Sequence, residues 1–371
     1  MKSSSKGRHL LALIAVVLGQ TFCLGFGPPR LASHDFDDAP FWPEQVQQLS
    51  RLAPPRLDAP AALLLDVATQ MRLYGKGADE RRAPASTTKM MTALVALARS
   101  DLSESVVVRA SDLTVGSFIG LSAGETWKLE DLLYALLLPS DNAAAVVIAR
   151  HVAGSERAFV DLMNAKAAEW GLQGTHFANP HGFDDPQHYS TAADLAEIAR
   201  RGLMHPVFAQ IVGTSERRVG GRTLRNLNQL LGTYEGAEGV KTGTTDAAGE
   251  CLVSAVMRPD GRAICVVLGS RDRYRDSRLL LDYYFANYRT VPLSAGPPGL
   301  NRVRTLDGNV AVMALREQRM VLLQRWQVPW LRVWRGNQAA DRLTVGEAGG
   351  VAQFSLGSVP LAQVPLYVAA P

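Results

Sequence analysis

The spacing of apolar positions changes several times along this chain, and each change marks a predicted element. An apolar run, Leu10 to Leu18, follows a polar head. Residues 28–58 contain GPPR, DAPFWPEQ and LAPPRLDAP, whose prolines deny both helix interior and sheet pairing, so they read as a linker. AALLLDVATQMRLYGKG then predicts two strands joined at Asp66 to Gln70, followed by a charged loop. An apolar helix starts near Ser86 in APASTTKMMTALVAL. From about 130 to 230, LEDLLYALLL, NAAAVVIARHV, ERAFVDLMNAKAAEWG and TAADLAEIARRGLM carry apolar residues at three- and four-residue spacing, which predicts helices punctuated by Pro139, Gly154, Gly171 and Pro206. After Gly236 the pattern turns strand-like in GVKTGTT, ECLVSAVM and AICVVLGS, and SRLLLDYYFANY predicts a final helix.

Strands first, helices in the middle and strands last predict an α+β domain over residues 59–289, a mixed sheet closed from both ends with a helical lobe inserted. Residues 290–371 open on PLSAGPPGL and continue in short runs such as NVAVMAL and RMVLLQ, predicting a small all-β C-terminal domain. In it Trp326, Trp330 and Trp334 recur every four residues. Pro329 argues for a strand with all three on one side, where they either pack into the core or meet a glycan or other partner. VPLAQVPLYVAAP, with two internal prolines and no charge, excludes a terminal amphipathic helix.

Composition adds a compartment. The chain's 371 residues and 47% hydrophobic content suit about two domains. Lys2, Lys6, Arg8 and His9 before the apolar run give residues 1–27 the layout of an export signal or N-terminal anchor, which implies work outside the cytoplasm. Phe22 stands where a lipoprotein site needs a small residue, so Cys23 is not expected to be lipidated. Without those residues 36 basic groups face 35 acidic ones, and no electrostatic case for nucleic acid remains. Cys251 and Cys265 flank the RPDG turn on apolar runs and read as buried thiols, although export permits a disulfide.

Three short motifs carry chemistry. Ser86 and Lys89 stand three apart on a helix, so the amine can reach the hydroxyl and act as its base if burial or a second cation lowers its pKa. Alone, the pair reads as a helix cap with a solvated lysine. Ser140, Asp141 and Asn142 lie between two helices, either as a helix cap or as a hydroxyl and carboxamide able to relay a proton and hold an amide. Lys241, Thr242, Gly243 and Thr244 sit on a predicted edge strand, where a cation and a hydroxyl suit a carboxylate and Gly243 leaves room for a substrate backbone.

Together, in this order, the motifs resemble those of penicillin-binding proteins and class A β-lactamases. LLLDVATQMRLYGKGADERRAPASTTKMMTALVAL, FANPHGFDDPQHYSTAADLAEIA, NLNQLLGTYEGAEGVKTGTTDAAG and RYRDSRLLLDYYF are similar to the low-molecular-mass D-alanyl-D-alanine carboxypeptidases, from about residue 60 to 288. The resemblance implies Ser86 as acylated nucleophile, Lys89 as base, and Ser140 and Asn142 as proton shuttle and amide contact. It implies Lys241 and Thr242, with Gly243, Thr244 and Arg273, around the terminal D-Ala carboxylate, and an oxyanion hole from the Ser86 and Thr244 backbone N–H groups. Peptidoglycan stem peptides would be the substrate, β-lactams the inhibitors, and no metal or organic cofactor is implied. The periplasm or the outer face of a bacterial cytoplasmic membrane would be the location. A D,D-endopeptidase is the nearest alternative; a β-lactamase or a non-catalytic peptidoglycan-binding protein fits less well. Glu169 in EWGLQ, the nearest thing to a deacylating carboxylate, reads as solvated surface. His181, Asp184, Asp185 and His188 in PHGFDDPQH are zinc-ligand types without a zinc-binding helix motif.

Overall fold

A computed structural model describes residues 52–297, 300–306, 308–337, 343–357 and 359–370. The expected export segment, and the linker before residue 52, lie outside the described residues; residues 52–57 form neither helix nor strand. The chain divides into two compact units, residues 54–286 and the segment from Asn287 onward.

The first unit begins with a hairpin, β1 (Ala61–Asp66) and β2 (Arg72–Lys76). Asp66 closes its turn, accepting hydrogen bonds from the Thr69 backbone and hydroxyl. A 3-10 turn, Ala85–Thr88, runs into α1 (Lys89–Arg99). The short strands β3 (Ser105–Val107) and β4 (Thr126–Lys128) pair beside α2 (Leu129–Leu137), α3 (Asn142–Ala153) and α4 (Glu156–Glu169). α5 (Ala192–Leu203) and α6 (Pro206–Gly213) follow, then the hairpin β5 (Glu216–Val219) and β6 (Arg222–Arg225). β7 (Ala237–Thr245), β8 (Gly249–Arg258), β9 (Gly261–Ser270) and α7 (Arg273–Asn287) complete the unit.

The sheet order is β2-β1-β9-β8-β7. Every pairing is antiparallel, so the sheet expected to be mixed is not: β7, β8 and β9 follow one another as hairpins, and β1 lies antiparallel to β9. β7 is an edge strand, as its motif requires. The stretch from 130 to 230 is less uniformly helical than its periodicity suggests, because β5 and β6 interrupt it. Pro206 starts a helix rather than ending one, since a first-turn residue needs no free N–H.

Burial follows residue size. α3 is buried from Asn142 to Ala149, and its alanines let α1, α2 and α4 approach closely. On α2, Leu132, Leu133, Leu136 and Leu137 are fully buried, each stabilising the fold by about 1.5–3 kcal/mol. Asp141 caps α3 by accepting the Ala144 N–H, and Gly154 ends it at φ 79°, a left-handed conformation that glycine adopts without a Cβ penalty. Cys251 and Cys265 are free and buried; Cys251 pairs with Gly243 and Cys265 with Ser254, so the two are out of register.

The second unit is all β. β10 (Tyr288–Pro292) pairs with β13 (Met320–Gln324). β11 (Arg302–Arg304), β12 (Val310–Ala314), β14 (Leu331–Asn337), β15 (Ala348–Leu356) and β16 (Val359–Ala370) form a sheet ordered β11-β12-β16-β15-β14. Met313, Phe354, Leu366 and Val368 lie in its core. The C-terminal segment is strand β16; β12 pairs only with its end, Tyr367 to Ala370, so Pro360 and Pro365 fall where β15 is the one partner strand. The tryptophans do not share a strand face. Trp326 and Trp330 belong to a 3-10 turn, Arg325–Trp330, that contains Pro329, and Trp334 stands on β14 with 61% of its surface exposed.

Candidate active site

Pro84 sets the first motif. Its carbonyl accepts hydrogen bonds from the Thr87 backbone N–H and hydroxyl, which winds Ala85–Thr88 into a 3-10 turn. Side chains three apart eclipse in that geometry. Lys89 Nζ lies 2.8 Å from the half-buried Ser86 Oγ. The same nitrogen is 2.7 Å from Asn142 Oδ1, at the start of α3, and 2.7 Å from the His181 carbonyl.

In the neutral form of the Lys89 amine these contacts assign its hydrogens. Burial, then the nearby Lys241 cation, holds the Lys89 pKa well below the ordinary lysine value, against an upward pull from Asp141. A neutral amine has two N–H bonds and one lone pair. Asn142 Oδ1 and the His181 carbonyl can only accept, so the two N–H bonds go to them and the lone pair faces the Ser86 hydroxyl proton. The cluster can therefore deprotonate an alcohol.

Asp141 builds the second motif as a scaffold. Besides capping α3, its carboxylate accepts from the Ser117 hydroxyl and the Ile119 N–H, tying the loop before β4 to the motif. Ser140 is held at φ 64°, rare for a residue with a side chain, and its buried hydroxyl has no hydrogen-bond partner among the described residues. An orphaned hydroxyl in a polar cluster is poised for a partner that arrives later.

The third motif comes to the first through Gly243. A Cβ there would stand 2.9 Å from the Ser86 nitrogen and 3.0 Å from Ala85 Cβ, so only glycine lets β7 pass so close to the 3-10 turn. Lys241 and Thr242 on β7 are buried; Thr244 is exposed. Burial, then the Arg273 charge, lowers the Lys241 pKa to about 7. Arg273, at the start of α7, donates to the Gly243 and Cys251 carbonyls and, at 2.7 Å, to Thr244 Oγ1. It also pairs with Glu250 at 3.3 Å. Two cations and two hydroxyls at one strand edge suit a carboxylate.

Ser86, Lys89 and Asn142 are in direct contact, and Gly243 brings its strand against them; Ser140 adjoins Asn142 in the chain. The loop after α4, weighed from its residue types only as a metal-ligand set, completes the site. Its His181 carbonyl holds Lys89, and Gly182, at φ 94°, lies so near that a Cβ would overlap the Ala85 carbonyl. The signal for that approach was the glycine itself. Asp184 ties this loop to the end of β7 through Thr245 Oγ1 and the Ala247 N–H. His188 is buried, and its pKa falls to about 4, through burial first and then His181. Neutral, it accepts the Ala178 N–H at Nδ1, so Nε2 carries the hydrogen and donates to Thr88 Oγ1 at 2.7 Å. Its two hydrogen bonds make His188 a tie between this loop and the first motif's turn; among the described residues no group of three or more metal-ligand side chains gathers. Glu169 lies on the surface, paired with Lys166 at 2.7 Å. Among the described residues no helix is long and apolar enough to cross a membrane.

The comparisons with known proteins agree with this geometry. Residues 48–272 match the family model described as D-alanyl-D-alanine carboxypeptidase, peptidase S11. The chain is 36% identical over 310 residues to D-alanyl-D-alanine carboxypeptidase DacF of Bacillus subtilis, covering 80% of this chain and 76% of that one. It is 32% identical over 379 residues to DacC of Escherichia coli, covering 96% and 91%. Penicillin binding protein 5 from Haemophilus influenzae superposes with a TM-score of 0.70 at 27% identity, covering 86% of this chain and 98% of that one.

Proposed function

The chain belongs to the D-alanyl-D-alanine carboxypeptidase family of serine peptidases, S11, and from that premise we propose that Ser86 is its acylated nucleophile and Lys89 the base. The activity is removal of the terminal D-Ala from peptidoglycan peptides, and the family binds penicillin. The observation that carries the residue assignment is the 2.8 Å contact between Lys89 Nζ and Ser86 Oγ, with the same nitrogen held by two fixed acceptors.

Lys241, Thr242 and Arg273 hold the substrate's terminal carboxylate, which places the last peptide bond over Ser86. Lys89 takes the hydroxyl proton as Oγ attacks the penultimate D-Ala carbonyl carbon. The Ser86 and Thr244 N–H groups receive the oxyanion, each worth about 3–4 kcal/mol in such a role. The C–N bond then breaks as Ser140 Oγ passes its proton to the departing amine and takes in its place the proton Lys89 holds, which leaves an ester on Ser86 and a neutral Lys89. Water, deprotonated by Lys89, hydrolyses that ester and restores the enzyme. A β-lactam acylates the same oxygen and leaves no amine to diffuse away, so its ester persists.

Residues 59–289 form the peptidase domain in this reading and residues 290–371 a β domain. Residues 1–27 carry export or anchoring, and the relatives' cell-wall activity supports a location outside the cytoplasm, in the periplasm or on the outer face of the membrane. Intact-mass spectrometry of the protein and of Ser86→Ala, each with penicillin and with a peptide ending in D-Ala-D-Ala, tests the assignment. A penicillin adduct and D-Ala release, both lost in the variant, are expected; an adduct that survives Ser86→Ala overturns it.

A further inference from the structure

Trp334 is a large aromatic residue on the open edge strand of the second unit's sheet, with 61% of its surface in water. Its ring lies along its own strand over Gly336, where a Cβ would stand 2.5 Å from ring atoms Cη2 and Cζ3. Glycine thus supports one side of the ring while much of its surface stays open. On the same sheet face the register runs from Trp334 to Gln353 on β15 and on to Gln363 on β16, and both glutamines are exposed. Arg332, two positions before Trp334 and also exposed, shares that face. The row crosses two strand spacings, roughly 10 Å, the length of about two sugar rings.

We propose that this face, Trp334 with Gln353, Gln363 and Arg332, binds the glycan strand of peptidoglycan. An indole surface stacks on the apolar C–H face of a pyranose. Each glutamine amide offers donors and an acceptor to hydroxyl and acetamido groups. Charge agrees: from Asn287 to the last residue the chain has nine arginines, no lysine and four acidic residues, and the polymer's peptides carry free carboxylates. A lipid surface would fit the tryptophan and the arginines equally well but not the amides. Sinking this face into a bilayer would strip water from both without replacing their partners, at a cost of about 1–3 kcal/mol each.

The identity of the polymer rests on the carboxypeptidase reading, since its stem peptides hang from this glycan. The test is co-sedimentation of the full-length protein with cell-wall glycan stripped of its peptides, and separately with phosphatidylglycerol vesicles, alongside D-Ala release from a soluble peptide. Saturable glycan binding is expected, weakened about tenfold or more in Trp334→Ala and in Gln353→Ala/Gln363→Ala, and largely kept in Trp334→Phe. Soluble-peptide hydrolysis should stay unchanged in all three, and a circular-dichroism melting curve like the parent's shows that the second unit still folds. Glycan binding equal in Trp334→Ala and the parent, no glycan binding by the parent, or binding to the vesicles alone overturns the proposal. Failure of D-Ala release in the parent strikes instead at the assignment of the reaction and leaves the sedimentation result to be read by itself.

Discussion

The Asp184 carboxylate accepts a 2.6 Å hydrogen bond from the Thr245 hydroxyl, and so joins the loop that carries the His181 carbonyl to the end of the strand that carries Lys241. One exposed residue thereby links the acceptor that holds Lys89 to the strand edge proposed to receive the substrate. Asp184→Ala should lower the rate of penicillin acylation by about tenfold, the worth of a hydrogen bond to a charged group, with little change in melting temperature. Asp184→Asn, which keeps an acceptor, should recover part of it. Unchanged acylation in the alanine variant would show that the loop holds its place without the clasp.

A carboxylate in place of the Asn142 amide would attract a proton to Lys89 and raise its pKa. Asn142→Asp should therefore be nearly inactive near pH 7 and regain acylation as pH rises, with the acid limb of kcat/KM displaced upward. A pH profile of D-Ala release for both proteins decides it; parallel profiles would mean that Lys89 is not the titrating base.

Lys241 bears on the alkaline side. Its lowered pKa of about 7 means that the free enzyme loses this cation as pH rises through neutrality, so kcat/KM should fall there. Bound carboxylate keeps the proton on, so kcat should fall less. Arg273 lowers that pKa, and Arg273→Met should move the alkaline limb upward while raising KM. The stability effect has the opposite sense. The unfolded chain binds the proton more tightly between about 7 and the ordinary 10.5, so the cost of burying Lys241 is greatest in acid and fades as pH climbs through that window.

Gly243→Ala places a methyl group 2.9 Å from the Ser86 nitrogen. The turn or the strand must give way, at about 1–3 kcal/mol of stability by the usual cost of overpacking. Acylation should drop by more than the stability loss explains, because the displaced atoms are those proposed to meet the oxyanion. Thermal denaturation and stopped-flow acylation of the same sample separate the two effects.

Burial pushes the Cys251 thiol up to about 11 and the Cys265 thiol up to about 12. Neither should react with a thiol reagent in the native protein, and both should react once it is unfolded. A mass shift on native protein assigned by peptide mapping to either residue would contradict their burial.

The motifs were legible because each reaction role demands a residue type at a fixed spacing along one element. What escaped depended on distant partners. Lys89 is held by a carbonyl 92 positions later, and no local pattern announces an acceptor that every residue carries. The β5–β6 hairpin falls in the stretch expected to be helical, yet Gly220 and Gly221, at φ 52° and 76°, have the left-handed conformations of a two-residue hairpin turn. Its Arg217 stacks 4.0 Å over Tyr134, a tertiary contact that propensity does not see. Around Trp326 and Trp330 the four-residue spacing was real, but a 3-10 turn that accommodates Pro329 supplied it in place of a strand.

Asp276, in the first turn of α7, accepts the Ala59 N–H at 2.8 Å and the Ser270 hydroxyl, and its neighbour Arg275 pairs with Asp58. The point where the chain enters the sheet is thus stapled to the helix that begins with Arg273. A pull on the chain ahead of residue 58 is shared between this staple and the Lys76 amine of β2, which donates to the Leu57 carbonyl at 2.9 Å. Arg273, two residues before the arginine of that ion pair, therefore stands close to the load path.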